Sequence, residues 1–249
     1  MAMVGTPFDH YGKNALELEN FTELAGRYSF QKRAEQHLLY YLLDALSLSP
    51  DDDVLDIGCG AGNLLIPFSF FVRSITGIDH PNLLAQIKNR IPKDGGTITL
   101  IPGDFRTAEV PGTFSRILIY SVIHYLRNEE EVLAFIRKAA LLLRPKGKML
   151  IGDIPNKDIK ARFLATERGN TFAAEWRKKV EDARKDGREE NAPLVTDTPL
   201  VTLDDVLVEK IVTMLRGLSL HAERVAEPET LSFCFTREDI IVGSDRRRP

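Results

Sequence analysis

Residues 54–63 read Val-Leu-Asp-Ile-Gly-Cys-Gly-Ala-Gly-Asn, and no other stretch restricts the possible folds as strongly. An apolar, β-rich run ends in glycines at three alternate positions, Gly58, Gly60 and Gly62, and helical spacing follows. Near-continuous hydrophobicity is what a strand buried on both faces requires, and glycine opens backbone angles closed to other residues. Glycine also lets a ligand lie against the backbone with no Cβ in the way. The segment therefore predicts a strand, a turn and a helix that form a ligand cradle at the strand's carboxyl end.

The same change of period recurs downstream. Apolar runs at 54–57, 75–78, 98–101, 117–122 and 149–154 alternate with amphipathic stretches at 62–71, 82–90 and 129–143. Strands alternating with helices imply right-handed crossovers and a parallel sheet covered on both sides. Before this core, residues 1–8 look unanchored, and helical spacing runs through Leu16, Phe21 and Leu24, then Ala34, His37, Leu38, Tyr41, Leu42 and Leu46. After it the alternation breaks, and residues 155–217 read as inserted helix and loop. Within them, the mixed charges of 175–190 predict a solvated helix, and Thr202 with Asp205 resembles a capping box opening a helix that stops at Gly217. Runs at 218–225 and 238–242 predict a closing antiparallel pair at the sheet edge. The expected architecture is a doubly wound, seven-stranded α/β sheet in a single domain over 1–249. It comprises a helical cap (1–50), a core (51–154), a helical insertion or lid (155–217) and a C-terminal strand pair (218–249).

Charge narrows the ligand. A dinucleotide loop normally spaces its glycines G-x-G-x-x-G under a pyrophosphate, whereas here the spacing is G-x-G-x-G and Asp56 stands two residues before the first glycine. A carboxylate near a diphosphate costs on the order of 4 kcal/mol per charge pair at 4 Å in an effective dielectric of 20. The same carboxylate suits S-adenosylmethionine (SAM), which carries a sulfonium and an ammonium and no phosphate. Residues 54–62 resemble the first motif of the class I SAM-dependent methyltransferases, and 51–153 is similar to their core. The resemblance implies a Rossmann-like fold and a SAM cofactor held by Asp56, Gly58, Cys59, Gly60 and Gly62. It further implies that Asp79, beside His80, accepts from the ribose hydroxyls; a helix cap before Pro81 is the other reading of Asp79. Asp104 and Phe105 would hold the adenine amino group and ring, unless Asp104 is only a turn residue, and Tyr120 and Ser121 would line the cleft.

Methyl transfer from a sulfonium is an in-line displacement, so alignment can supply much of the catalysis, and a base is needed only if the acceptor arrives protonated. His124, just past the fourth strand, is the candidate base, with packing or capping as its other reading. His10, Tyr11, Arg27, Tyr28 and Lys32 are candidates to fold over the cofactor or acceptor, or to pack on the surface, and His37 reads as a core histidine. Phe163, Phe172 and Trp176 in the insertion are candidates to cover an acceptor or to pack against the core. Tyr120-Ser121-Val122-Ile123 stands where amino-methylating DNA enzymes of this class carry N-P-P-Y or D-P-P-Y, and Cys59 and Cys234 are not placed for pyrimidine C5 attack. A small-molecule acceptor is favoured. The phrases at 152–156, 160–164 and 233–243 resemble methyltransferases of surface-polysaccharide and sugar modification, which implies an oxygen or nitrogen of a sugar or nucleotide-sugar. A SAM-binding sensor or an inactive partner subunit is the alternative, and a nicotinamide-dependent enzyme is disfavoured by Asp56 and the glycine spacing.

A formal charge of −3 and a pI near 6.0 give no global field favouring nucleic acid or an anionic membrane. The longest apolar runs, at 64–71 and 139–143, fall well short of the ~20 residues that span a bilayer. Two cysteines, and no N-terminal apolar stretch resembling a signal peptide, give a reducing cytoplasm as the expected location. No compact cluster of histidine and carboxylate suggests a metal.

Overall fold

The apolar runs become strands β1 (Asp53–Ile57), β2 (Ser74–Asp79), β3 (Thr97–Pro102), β4 (Phe114–Tyr120) and β5 (Leu143–Pro155), and the chain closes with β6 (His221–Ala226) and β7 (Arg237–Gly243). The computed structural model describes residues 6–17, 21–25, 27–185 and 199–244. They form one seven-stranded sheet in the order β3-β2-β1-β4-β5-β7-β6. Neighbours from β3 to β5 are parallel, and β7 runs antiparallel to both β5 and β6. The architecture is the doubly wound α/β sheet expected from the sequence, with the antiparallel pair at its edge. β4 stops at Tyr120, short of the apolar run, because Ser121 takes a positive φ of 61°.

The pleat divides the core into two layers. Leu55, Ile57, Ile117, Ile119, Met149 and Ile151 face α6 (Glu129–Leu141) and α9 (Asp205–Gly217), while the alternating Val54, Leu118 and Leu150 face α3 (Lys32–Ala45) and α5 (Pro81–Lys88). A third, smaller cluster joins Ala15 of α1 (Pro7–Glu17) and Leu24 of α2 (Phe21–Leu24) to Ala61 and Leu83.

Several local expectations change. Pro7 and Phe8 open α1 rather than lying loose, and residues 1–5 fall outside the described residues. The helix expected over 62–71 is the single turn α4 (Leu65–Phe68), since the Ser69 hydroxyl bonds back to the Ile66 carbonyl at 2.7 Å and tightens the chain. His37 is exposed, because the buried stripe of α3 runs through Leu38, Leu42 and Ala45 and leaves its neighbour on the solvent side. The cap of α9 is Asp204, whose carboxylate accepts from the Leu207 amide at 2.9 Å, and not Thr202. With Leu207, Val208, Ile211, Val212 and Leu215 buried against the sheet, α9 belongs to the core. The added segment is therefore α7 (Lys157–Leu164) and α8 (Glu167–Lys185) with the chain that follows. Residues 186–190 of the expected charged helix and the arginines at 246–248 lie outside the described residues. No described helix is long and apolar enough to cross a membrane.

Candidate active site

The parallel strands open at their carboxyl ends onto a cavity of about 310 Å³, where open α/β sheets place their ligands. The glycine loop forms one wall. Its amides fold back on β2, with Gly58 N–H donating to Ile78 O at 2.9 Å and Gly60 N–H to the Asp79 carboxylate at 2.7 Å. Gly58 has φ +79°, and a Cβ there would lie 2.5 Å from Val122. Gly60 has φ +55°, and a Cβ there would meet no atom within 4 Å, so the side chain it lacks would project into open space.

Asp56, one residue before the end of β1, lies beneath this loop, 3% exposed, with Oδ2 buried and unbonded. Burial, and then the neighbouring Asp79, push its carboxyl up to about 7. Asp79 is also held above the usual carboxylate range by burial, though the amides of His80 and Gly60 pull against the shift. The helix cap before Pro81 is His80 instead, whose Nδ1 accepts from the Asn82 amide at 3.1 Å while its ring packs on Phe8. At the end of β3, Asp104 pairs with Arg106, which also reaches Glu131 at 2.6 Å, and buried Phe105 packs edge-on against Phe135.

At the other side of the cavity Ser121 bonds Asp153 and accepts from Arg27 Nη2 at 2.6 Å. Asp153 is gripped by Arg27 and Arg237, which hold it well below the usual carboxylate range against the cost of burial. Arg27 also faces Glu35 of α3 at 3.4 Å. The hydroxyls of Tyr11 and Tyr125 meet across the cavity. The first fifty residues thus roof the site through Pro7, Phe8, Tyr11, Leu24, Arg27 and Glu35.

Of the residues the sequence singles out, Asp56, Gly58, Cys59, Gly60, Asp79, Asp104, Phe105, Tyr120 and Ser121 share this wall, together with Tyr11 and Arg27. Gly62, His80 and His124 do not line it. Gly62 turns inward against Ile87 and Ile66, and His124 lies in the tight turn Ile123–Tyr125 with a buried, unbonded Nδ1. Burial and then Arg237 push its imidazole down to about 3, so it is neutral at ordinary pH. The cavity wall also takes no described residue from the added segment: Phe163, Phe172 and Trp176 pack with Tyr28, Phe30, Phe233 and Phe235 in an aromatic cluster beside it. Sequence reasoning missed Glu35 and Tyr125, for which only the amphipathic stripe of α3 and nearness to β4 gave any signal.

The donors fit SAM. The unbonded Asp56 oxygen suits a cationic partner, the open cradle at Gly60 admits a backbone-hugging ligand, and Asp79 is an acceptor at the mouth of β2.

Residues 54–147 match the family model described as a methyltransferase domain. An uncharacterized methyltransferase of Bacillus cereus (strain 03BB102) is 31% identical over 102 residues, which cover 41% of this chain. The match spans only 46% of that relative's own length. Among solved structures, the N-methyltransferase NodS from Bradyrhizobium japonicum WM9, in complex with S-adenosyl-L-homocysteine (SAH), superposes with a TM-score of 0.61 at 16% identity, covering 97% of this chain and 100% of its own. Magnesium protoporphyrin IX methyltransferase from Synechocystis PCC 6803, with SAH bound, gives 0.57 at 13% identity over 95% of this chain and 96% of its own. These two likenesses concern the fold. Glycine loop, acidic strand ends, sheet order and domain match agree: residues 54–147 match a methyltransferase domain, and the seven-stranded sheet has the class I methyltransferase fold.

Proposed function

We propose that the protein transfers a methyl group from SAM to an oxygen or nitrogen of a small polar molecule, with a sugar or nucleotide-sugar as the first acceptor class to test. The observation that carries this reading is the pairing of a buried carboxylate at Asp56, whose Oδ2 has no partner, with an open glycine cradle at Gly60. SAM supplies an electrophilic methyl group on a sulfonium. In this reading Asp56 balances the ligand's positive charge, Asp79 accepts from the ribose hydroxyls, and Asp104 with Phe105 receives the adenine. Tyr120 and Ser121 border the place where cofactor and acceptor meet. The roof of α1 and α2 excludes water and holds the acceptor in line, which is where most of the rate of an alignment-limited displacement arises. His124 has no part in the reaction, since it does not line the cavity and resists protonation.

The test is calorimetry of the purified protein with SAM, SAH and NADH, followed by mass-spectrometric detection of methyl transfer to a panel of sugars, nucleotide-sugars and amines. SAM binding with turnover supports the proposal. SAM binding without turnover on any acceptor favours the sensor, and NADH binding in place of SAM rejects both.

A further inference from the structure

Four carboxylates stand on the described cavity wall, and the cofactor reading uses three of them. Asp56, Asp79 and Asp104 lie at or just beyond the carboxyl ends of β1, β2 and β3. The fourth, Glu35, comes from α3 and stands by the ends of β4 and β5, beside Arg27, Ser121 and Asp153. Its side chain is 30% exposed, so it is available to a ligand from the cavity.

The charges behind it determine what that ligand is. Arg27 and Arg237 are both engaged by Asp153, and Asp239 lies next in line, accepting from the Asp153 amide at 2.8 Å and from Tyr41 at 2.6 Å. Glu35 itself faces Arg27 at 3.4 Å, so two guanidiniums serve three carboxylates, Asp153, Asp239 and Glu35, and the group carries negative charge in excess. Burial beside Asp153 and Asp239 pushes Glu227 up, so it keeps its proton and adds no charge. The other arginines on the wall, Arg106 and Arg127, are engaged by Asp104 and Glu131. An anionic acceptor would meet the Glu35 carboxylate; a cation would neutralise it.

We propose that Glu35 binds the methyl acceptor, and that the acceptor is a protonated amine which passes a proton from its nitrogen to a Glu35 carboxylate oxygen. The ammonium becomes a neutral amine, the carboxylate a carboxylic acid, and the nitrogen electron pair that held the proton is free for the methyl group. This rests on the reading of the site as a SAM-dependent methyltransferase. Burial first, and Asp153 second among the causes that raise it, hold Glu35 above the usual carboxylate range, which suits it to accept a proton. Tyr11 is pushed far up by burial and stays neutral, so with Tyr125 it offers hydrogen bonds without competing for the charge.

The test uses three probes of one size, propylammonium, propanol and propionate, titrated into the protein–SAH complex and followed by ligand-observed NMR. The expected order places propylammonium at least about tenfold tighter than the others. Glu35→Gln should remove that preference while Glu35→Asp keeps part of it, with SAH affinity within about twofold throughout. Equal binding of the three probes, preference for propionate, an unchanged preference in folded Glu35→Gln, or no propylammonium binding up to about 50 mM would each overturn the assignment. Failure of the wild type to bind SAH would strike the methyltransferase reading instead; the probe order, read in the same samples, still decides Glu35.

Discussion

Asp79 is bonded by two backbone amides, Gly60 at 2.7 Å and His80 at 2.6 Å, whereas Asp56, one strand away, keeps an oxygen with no partner at all. Neighbouring carboxylates therefore have different tasks: one shapes the loop and the other waits for a ligand. Asp56 is raised to about 7, so in the free protein it is largely protonated below that pH. A cationic ligand favours the ionised form, so binding expels a proton and affinity climbs as pH rises toward and through about 7. At pH 7 the enthalpy of SAM binding should vary with the ionisation enthalpy of the buffer, and Asp56→Asn should abolish the variation and weaken binding. The sign for stability is opposite. A folded-state pKa above the unfolded one means that stability is lost as pH rises from the ordinary carboxylate range to about 7. Ligand-free Asp56→Asn should therefore melt higher than wild type, by more at pH 8 than at pH 4.

Gly60→Val should leave a folded protein without measurable SAM affinity. The new side chain enters the open cradle, and holding a β-branched residue at φ +55° costs about 1–3 kcal/mol, which most domains survive. Retained far-UV circular dichroism with silent calorimetry is the expected pair of results.

Asp79→Ala should lower both SAM affinity and the melting temperature of the free protein. The Gly60 and His80 amides lose their acceptor, a loss of about 1–3 kcal/mol for each amide that water does not reach. A variant that loses affinity with its melting curve unmoved would show that the loop keeps its shape without this carboxylate.

His124→Gln should leave the pH profile of kcat/KM unchanged above pH 5. An imidazole held near 3 has no acid limb in that range. It does bear on acid stability. The unfolded chain takes up a proton near 6.5 and the folded one does not until about 3, so stability contributed here falls as pH drops through that window. The variant should therefore show a flatter fall in melting temperature between pH 6.5 and 4.

The glycine loop, the acids at the strand ends and the sheet were legible because each rests on local period: strand, turn and helix lie within about ten residues around Gly58. The roof was less so. Helical spacing tells which face of α3 is buried, but not that Glu35 and Arg27 meet Asp153, 126 positions from Arg27. His124 and Tyr125 show the limit at short range. Neighbours in a 3₁₀ turn point about 120° apart, so one residue step puts the phenol on the cavity and the imidazole off it. Trp176 was visible as an aromatic in an insertion, yet its partners Tyr28 and Phe233 come from opposite ends of the chain.

The tie between Arg27 and Asp153 also sets an order of events during synthesis. A ribosome adding about 5–20 residues per second makes the roof helices first and then needs roughly 6–25 seconds to produce the carboxylate they dock on, 126 residues later. Arg237, which shares that carboxylate, emerges later still. Arg27 must therefore wait without this buried partner, although the helices beside it can already pack on Ala61 and Leu83, until the fifth and seventh strands have left the exit tunnel. The part of the chain made earliest is the part of the site completed last.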